Sequence, residues 1–293
     1  MTAETVFEEK PALQVTVFLG KDVTLPELRS KKSREVVRTL DATVLQERDN
    51  LFVICRTTLV RDFAPLILES WRKKHLLGLL LLRDVEPTFV APLLHEAKLT
   101  RLRNLLVHGQ KGLLEKVRRI LNAWETGTPD VLIADATVAG DQLLVRSCDF
   151  KLFQVPFDSL KALKNIAFQN RNRFEISSDG SYIHWKKQDV HLDLDAFRYA
   201  IDPIWKAKKD KERLIHDVRF GAAVASLRKE RGVTQSDISG LSEREIRRIE
   251  KGETMPRSST LELIATAHDM TLDIYLREIV LRVGRSCPTT AAI

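Results

Sequence analysis

From residue 12 to about residue 126, short apolar runs alternate with longer stretches whose apolar positions recur at helical spacing. Four runs are expected to be strands: LQVTVFLG (residues 13–20), NLFVICR (50–56), LLGLLLLRD and NLLVHG. The first two are rich in β-branched and aromatic residues, which suit a buried, pleated surface. For LLGLLLL, periodicity alone does not separate a buried strand from a buried helix. Helices are predicted around residues 28–46 and for LVRDFAPLILESWRKKH, FVAPLLHEAKLTRLRN and GLLEKVRRILNAW. This alternation predicts an α/β layer domain over residues 12–127, with a mainly parallel sheet.

The turn-rich stretch ETGTPD ends that pattern. Residues 128–204 are predicted to form a small antiparallel β module with one or two short helices. In it, RFEISSDGSYIHW places Asp179-Gly180, a strong hairpin signal, between two aromatic-rich segments. DVHLDLDAF then alternates Val190, Leu192 and Leu194 with polar residues, as a half-exposed strand should. WKAKKDKER is expected to be a charged connector.

Residues 214–283 carry a purely helical pattern, from which five helices are predicted. Phe220, Val224 and Leu227 mark the buried face of the first, and Gly232 closes it. Thr234 can cap a second helix containing Gln235 and Ile238. Ser242, followed three residues later by Glu245, forms a capping box for a third. In that helix Ile246 and Ile249 face inward while Arg244, Arg247 and Arg248 face outward. SSTLELIATAHDM and TLDIYLREIVLRV supply the fourth and fifth.

Composition adds a bias. The chain has 293 residues, 44% hydrophobic and 30% charged, an ordinary globular balance. Its net charge of +7 favours a polyanionic partner. Between positions 206 and 257 there are 14 Lys and Arg against 9 Asp and Glu, so most of the excess lies in one segment. Cys55, Cys148 and Cys287 are odd in number, widely spaced and without metal-ligand spacing, which fits a reducing compartment. The longest apolar run is far shorter than the about 20 residues a membrane helix needs. MTAETVFEEK lacks the features of an export signal. A cytoplasmic protein without a membrane partner is expected.

RIEKGETMPRSSTLELIATAHDMTLDIYL, preceded by LRKERGVTQSDIS, is similar to the phage-repressor (XRE) family of helix-turn-helix proteins over roughly residues 216–280. Shared elements are an Arg-Ile-Glu-x-Gly segment, a proline four residues on, then Thr-Leu and an alanine-containing helix. The chain departs from the family at the second helix and turn, which are about four residues shorter, with only Gly240 between Ser239 and Leu241. The resemblance places base-facing positions on Glu243, Arg244 and Arg248, with Arg247 beside them and Ser242 opening the helix. It places a phosphate contact on Gln235. Arginine can donate two hydrogen bonds to guanine, and glutamate can accept from cytosine. The plainer alternative is that the glutamates stabilise a helix start and the arginines form a solvated face.

The resemblance implies a bacterial or phage regulator that binds double-stranded DNA as a homodimer on a two-fold symmetric site, without a cofactor. The preceding domains would handle dimerisation, signal sensing or a protein partner docked on the N-terminal domain. The β-rich segment resembles a small domain of unknown function found before bacterial helix-turn-helix domains.

Separately, TPDVLIADATVAGDQLLVRSCDF is similar to the C-terminal part of PIN-domain ribonucleases. That resemblance offers Asp22, Asp130 and Asp149 as metal-binding carboxylates and a second function, a targeted metal-dependent nuclease. Two departures weigh against it: Phe18-Leu19-Gly20 stands where an aspartate is wanted, and Arg146 where threonine is common. A non-enzymatic adaptor or antitoxin is the third reading. His184, Asp189 and His191 could converge on a metal, although residues on an exposed strand face are the plainer and favoured reading. HGQKG before a helix hints at a phosphate cradle but matches no Walker or dinucleotide fingerprint. No residue is assigned a catalytic or metal-binding role.

Overall fold

The computed structural model describes residues 13–21, 23, 25, 28, 33–39, 49–109 and 112–285. The chain divides into two compact units between Ile201 and Asp202.

In the first unit, β1 (Val15–Leu19), β2 (Arg34–Val37), β3 (Leu51–Arg56), β4 (Leu76–Leu82) and β5 (Leu105–His108) form one sheet in the order β2-β1-β3-β4-β5. Every pairing in it is parallel. Parallel strands are buried on both faces, which is why LLGLLLL carries leucines without alternation and is a strand, not a helix. Successive side chains still alternate sides. Val17, Phe52, Ile54 and Leu80 pack into one apolar cluster, while Phe18, Val53, Leu79 and Leu81 pack into the other. Helices α1 (Val60–Arg72), α2 (Pro87–Glu96) and α3 (Leu113–Glu125) connect and flank the strands.

Two expectations need correction here. The helix predicted around residues 28–46 is, in its described part, strand β2, with Val15 to Phe18 in register with Arg34 to Val37. β-branched Val36 and Val37 favour that pairing, and buried Arg34 is satisfied by Glu125 (Nε to Oε1, 2.5 Å) and Asn122 (3.1 Å). Residues 40–48 lie outside the described residues. The helix predicted from FVAPLLHEAKLTRLRN stops at Glu96, because Lys98 takes a left-handed conformation and redirects Leu99 and Leu102 into the core.

The same unit continues with β6 (Ile133–Ala139), β7 (Gln142–Ser147) and β8 (Leu152–Pro156), an antiparallel meander. After the short helix α4 (Lys161–Lys164) come β9 (Glu175–Ile176), β10 (Ile183–Trp185) and β11 (Val190–Leu192), also antiparallel, then α5 (Leu194–Ile201). Ile133, Val145, Phe157, Trp185 and Phe197 share one core beneath these sheets. Ala134, Cys148 and Phe150 belong instead to the cluster that contains Phe52 and Ile120, so the parallel sheet and the meander pack on common residues. Gly78 makes room for this: a Cβ there would lie 2.3 Å from Cε2 of Phe150.

The second unit holds α6 (Pro203–Glu230), α7 (Glu243–Glu250), α8 (Ser258–Ala267) and α9 (Leu272–Arg285). The charged connector expected at WKAKKDKER is the first half of α6. Asp202 caps it, accepting from the backbone N–H groups of Ile204 (2.9 Å) and Trp205 (3.0 Å), and Pro203 occupies its first turn. Ion pairs at helical spacing, such as Asp210 with Arg213 (3.1 Å), run along this exposed half, where no apolar stripe marks it as helical.

The predicted second helix is absent, so four α-helices, not five, make up the described part of this unit. Between Gly232 and Ser242 the chain makes consecutive turns: Thr234 N–H donates to the Asp237 carboxylate (2.6 Å), and Leu241 N–H to the Ile238 carbonyl (3.4 Å). Ser236, Asp237 and Ser239 offer local hydrogen bonds that compete with a helix, and the segment is too short to repay nucleation. Gly240, at φ 85°, ends it in a left-handed conformation that residues with a Cβ avoid. Ile238 nevertheless remains buried beside Val224, Ile246, Ile249 and Tyr275.

Candidate nucleic-acid interface

Helix α7 is short, and its ends are fixed by its own sequence. The Ser242 hydroxyl accepts from Glu245 N–H (3.3 Å), and the Glu245 carboxylate accepts from Ser242 N–H (2.9 Å) and hydroxyl (2.7 Å). These bonds to Ser242 hold the Glu245 carboxyl below the usual carboxylate range. The capping box is therefore present, and it engages the Ser242 hydroxyl that the sequence places at the DNA-facing end. Ile246 and Ile249 anchor the buried face of the helix.

Two further devices lock α7 against α6. Gly221, in the middle of α6, lets the backbones meet: a Cβ there would lie 2.4 Å from the Ile249 carbonyl oxygen and 2.6 Å from that of Glu250. Gly252, just past α7 at φ 71°, approaches the backbone of Asp217 and Val218 equally closely. Beside this contact, Arg228 donates through Nε to Glu250 Oε1 (2.5 Å) and through Nη1 to the Val233 carbonyl (2.8 Å). Gln235 Nε2 donates to the other oxygen of Glu250 (2.7 Å).

What remains outward is charged. Glu243, Arg244, Arg247 and Arg248 are all exposed. Arg248 has loose ionic neighbours in Glu253, at 3.8 Å, and Glu245. A shallow recess of about 300 Å³ opens beside the helix, bounded by Arg248, Met255, Pro256 and Arg257. Such a face, with three exposed guanidiniums on a helix fixed from behind, can meet phosphates and base edges.

Residues 224–275 match the helix-turn-helix family. The segment is thus similar to helix-turn-helix domains of the XRE type, and the match supports DNA binding by this unit. Residues 133–203 match a protein family of unknown function, DUF2442, which covers the meander and the β9–β11 sheet. No curated protein matches the chain significantly.

Within the helix-turn-helix domain, the structure brings Ser242, Glu243, Arg244, Arg247 and Arg248 onto one exposed element. Gln235 is half-buried, and one of its amide hydrogens is committed to Glu250, so it braces α7. Sequence reasoning passed over the Arg228–Glu250 pair and Gly221, although a lone glycine inside a helical pattern is a recognised sign of close packing.

The other motifs fare unevenly. The PIN-like segment folds as the antiparallel β6–β7 hairpin, and Asp149 is occupied by the Ser147 hydroxyl and by Lys151 (2.7 Å). Among the described residues, Asp130 and Asp149 join no group of three metal-ligating side chains, and Asp22 lies outside the described residues. In HGQKG, Gln110 and Lys111 also lie outside them. The neighbouring Lys116 Nζ sits 2.6 Å from Asp135 and 2.7 Å from His108, with burial lowering its pKa against the pull of Asp135. His184, Asp189 and His191 are brought together. No helix among the described residues is long and apolar enough to cross a membrane.

Proposed function

We propose that the protein is a transcription regulator that reads specific double-stranded DNA sequences through α7. The observation that carries this is the exposed Arg244–Arg247–Arg248 face on a helix whose opposite side is fixed by backbone-to-backbone contact and by the Arg228–Glu250–Gln235 cluster. A rigid helix presenting flexible donors is what base readout requires, because discrimination depends on bidentate geometry. Glu243, at the amino end of the helix, adds an acceptor for cytosine, and the remaining amide hydrogen of Gln235 a donor for phosphate. A single domain of this size contacts few base pairs, so a homodimer on a two-fold site supplies the specificity, with half-sites about one helical turn apart or a multiple of it.

Selection of bound sequences from random DNA, at two salt concentrations, tests the reading. An enriched, two-fold symmetric motif whose affinity falls steeply with salt is expected. Arg244→Ala with Arg248→Ala should abolish specific binding in a mobility-shift assay and leave the circular-dichroism spectrum unchanged. Failure to enrich any motif, or full binding by the double variant, would refute it.

A further inference from the structure

The β10–β11 hairpin holds a cluster that the DNA-binding role does not use. His184 on β10 and His191 on β11 stand directly opposite each other in the antiparallel register. Directly opposed positions hold their Cβ atoms about 5 Å apart, close enough for one ion to bridge two imidazoles. The two rings lie nearly parallel, with centroids 3.8 Å apart. Asp189 ends the short 3₁₀ turn joining the strands, in a left-handed conformation (φ 50°), and its Oδ1 lies 3.5 Å from Nε2 of His191. One ligand atom from each of the three residues lies within 4.8 Å of the other two.

A second observation points the same way. His184 Nε2 is buried and has no hydrogen-bond partner among the described residues. A buried ring nitrogen normally has a partner, because leaving one unsatisfied forfeits its hydration without a replacement. The nearby Tyr182 ring, 5.1 Å from that of His191 and 6.4 Å from that of His184, walls one side of the cluster. Glu175, opposite His184 on the other neighbouring strand, is engaged by Lys186 (2.8 Å).

We propose that His184, Asp189 and His191 form a binding site for a borderline divalent transition-metal ion of the zinc type. Two imidazoles and one carboxylate suit such ions, whereas Ca²⁺ and Mg²⁺ favour oxygen-only shells. Metal–nitrogen distances of about 2.0–2.1 Å bring tetrahedral ligands to about 3.3 Å from one another, so the three side chains need only a small inward adjustment of their rotamers. Three protein ligands leave a fourth position to water. Bound metal would clamp the two strands at the exposed end of the hairpin, because an ion that binds only the folded form stabilises it by mass action.

The test uses the untagged full chain with Zn²⁺ as probe, followed by isothermal titration calorimetry and thermal unfolding. One Zn²⁺ per chain with micromolar or tighter affinity is expected, together with a rise in melting temperature. His184→Gln and His191→Gln should each weaken binding by at least the 10- to 100-fold that even outer-shell partners cost. The exposed His216→Gln should leave both stoichiometry and affinity unchanged. No saturable binding at micromolar free Zn²⁺ would overturn the proposal, and so would binding unaffected by His184→Gln and His191→Gln together. The glutamine variants keep the size and polarity of the side chain, and their circular-dichroism spectra without metal separate a lost ligand from a lost fold.

Discussion

Gly221→Ala tests whether α7 is positioned by the backbone of α6. The added methyl would sit 2.4 Å from the Ile249 carbonyl oxygen, 2.6 Å from that of Glu250 and 2.7 Å from the backbone nitrogen of Gly252. All three are backbone atoms, so no side-chain rotation relieves the clash, and α7 must retreat by about 1 Å to reach ordinary contact. Overpacking of this kind costs about 1–3 kcal/mol, and unyielding neighbours place it near the top of that range. Replacing glycine inside a helix returns about 1 kcal/mol of helix propensity. The net expectation is a loss of about 2 kcal/mol. Gly284→Ala makes the same chemical change in α9, where a Cβ would meet nothing within 4 Å, and should be neutral or slightly stabilising. Urea unfolding of the two variants measures the contrast. Under conditions where both remain folded, a mobility-shift assay should show at least about tenfold weaker binding for Gly221→Ala only, since one mis-set bidentate contact is worth 1–3 kcal/mol. Equal stability of the two variants would refute the backbone-contact argument.

Two other outcomes follow from particular bonds. Glu250→Ala removes the acceptor shared by Arg228 and Gln235, and the side chains of Arg228 and Glu250 are only 11% and 10% exposed. Stranding a nearly buried guanidinium should cost about 3–5 kcal/mol in urea unfolding, and a loss under 1 kcal/mol would show that water replaces the pair. The Asp179 carboxyl is held at about 2, below its ordinary 3.8, by the Ser177 hydroxyl and then by the backbone and hydroxyl of Ser181. A depressed carboxyl stabilises the fold fully above its unfolded value and loses that contribution as pH falls from about 4 through about 2. Asp179→Ala should therefore lower stability at neutral pH and flatten its pH dependence across that window in thermal unfolding. An unchanged slope would remove Asp179 from the account.

Much of this architecture is legible in the sequence wherever one face of an element is buried. β1 and β3 announce themselves through β-branched and aromatic residues, and α7 through Ser242, Glu245 and its isoleucine pair. Legibility fails where no apolar stripe exists. The first half of α6 is helical without burying anything, so its charges resemble those of a linker. It fails again at β2, where Arg34 is buried only because Glu125 and Asn122, distant in sequence, answer it. The cluster of His184, Asp189 and His191 is visible in the sequence only as three nearby residues. Its convergence depends on a strand register that pairs His184 with His191, which spacing alone does not fix.

The turns around Gly240 show how the domain holds α7 without a second helix behind it. Ile238 still reaches the core, so the hydrophobic anchor of that segment survives as a single buried side chain. Orientation comes from the other side. Gly221 and Gly252 bring the backbones of α6 and α7 into contact, and Glu250 gathers Arg228 and Gln235 onto the end of α7. Backbone contact tolerates far less displacement than an interface of flexible side chains, because neither partner can change rotamer. The missing helix before Gly240 is thus offset by the close join to α6, which keeps Arg244, Arg247 and Arg248 on a fixed support. A variant that lengthens the turn should consequently change stability less than Gly221→Ala does, because the turn carries one anchor and the glycine contact sets the angle of α7.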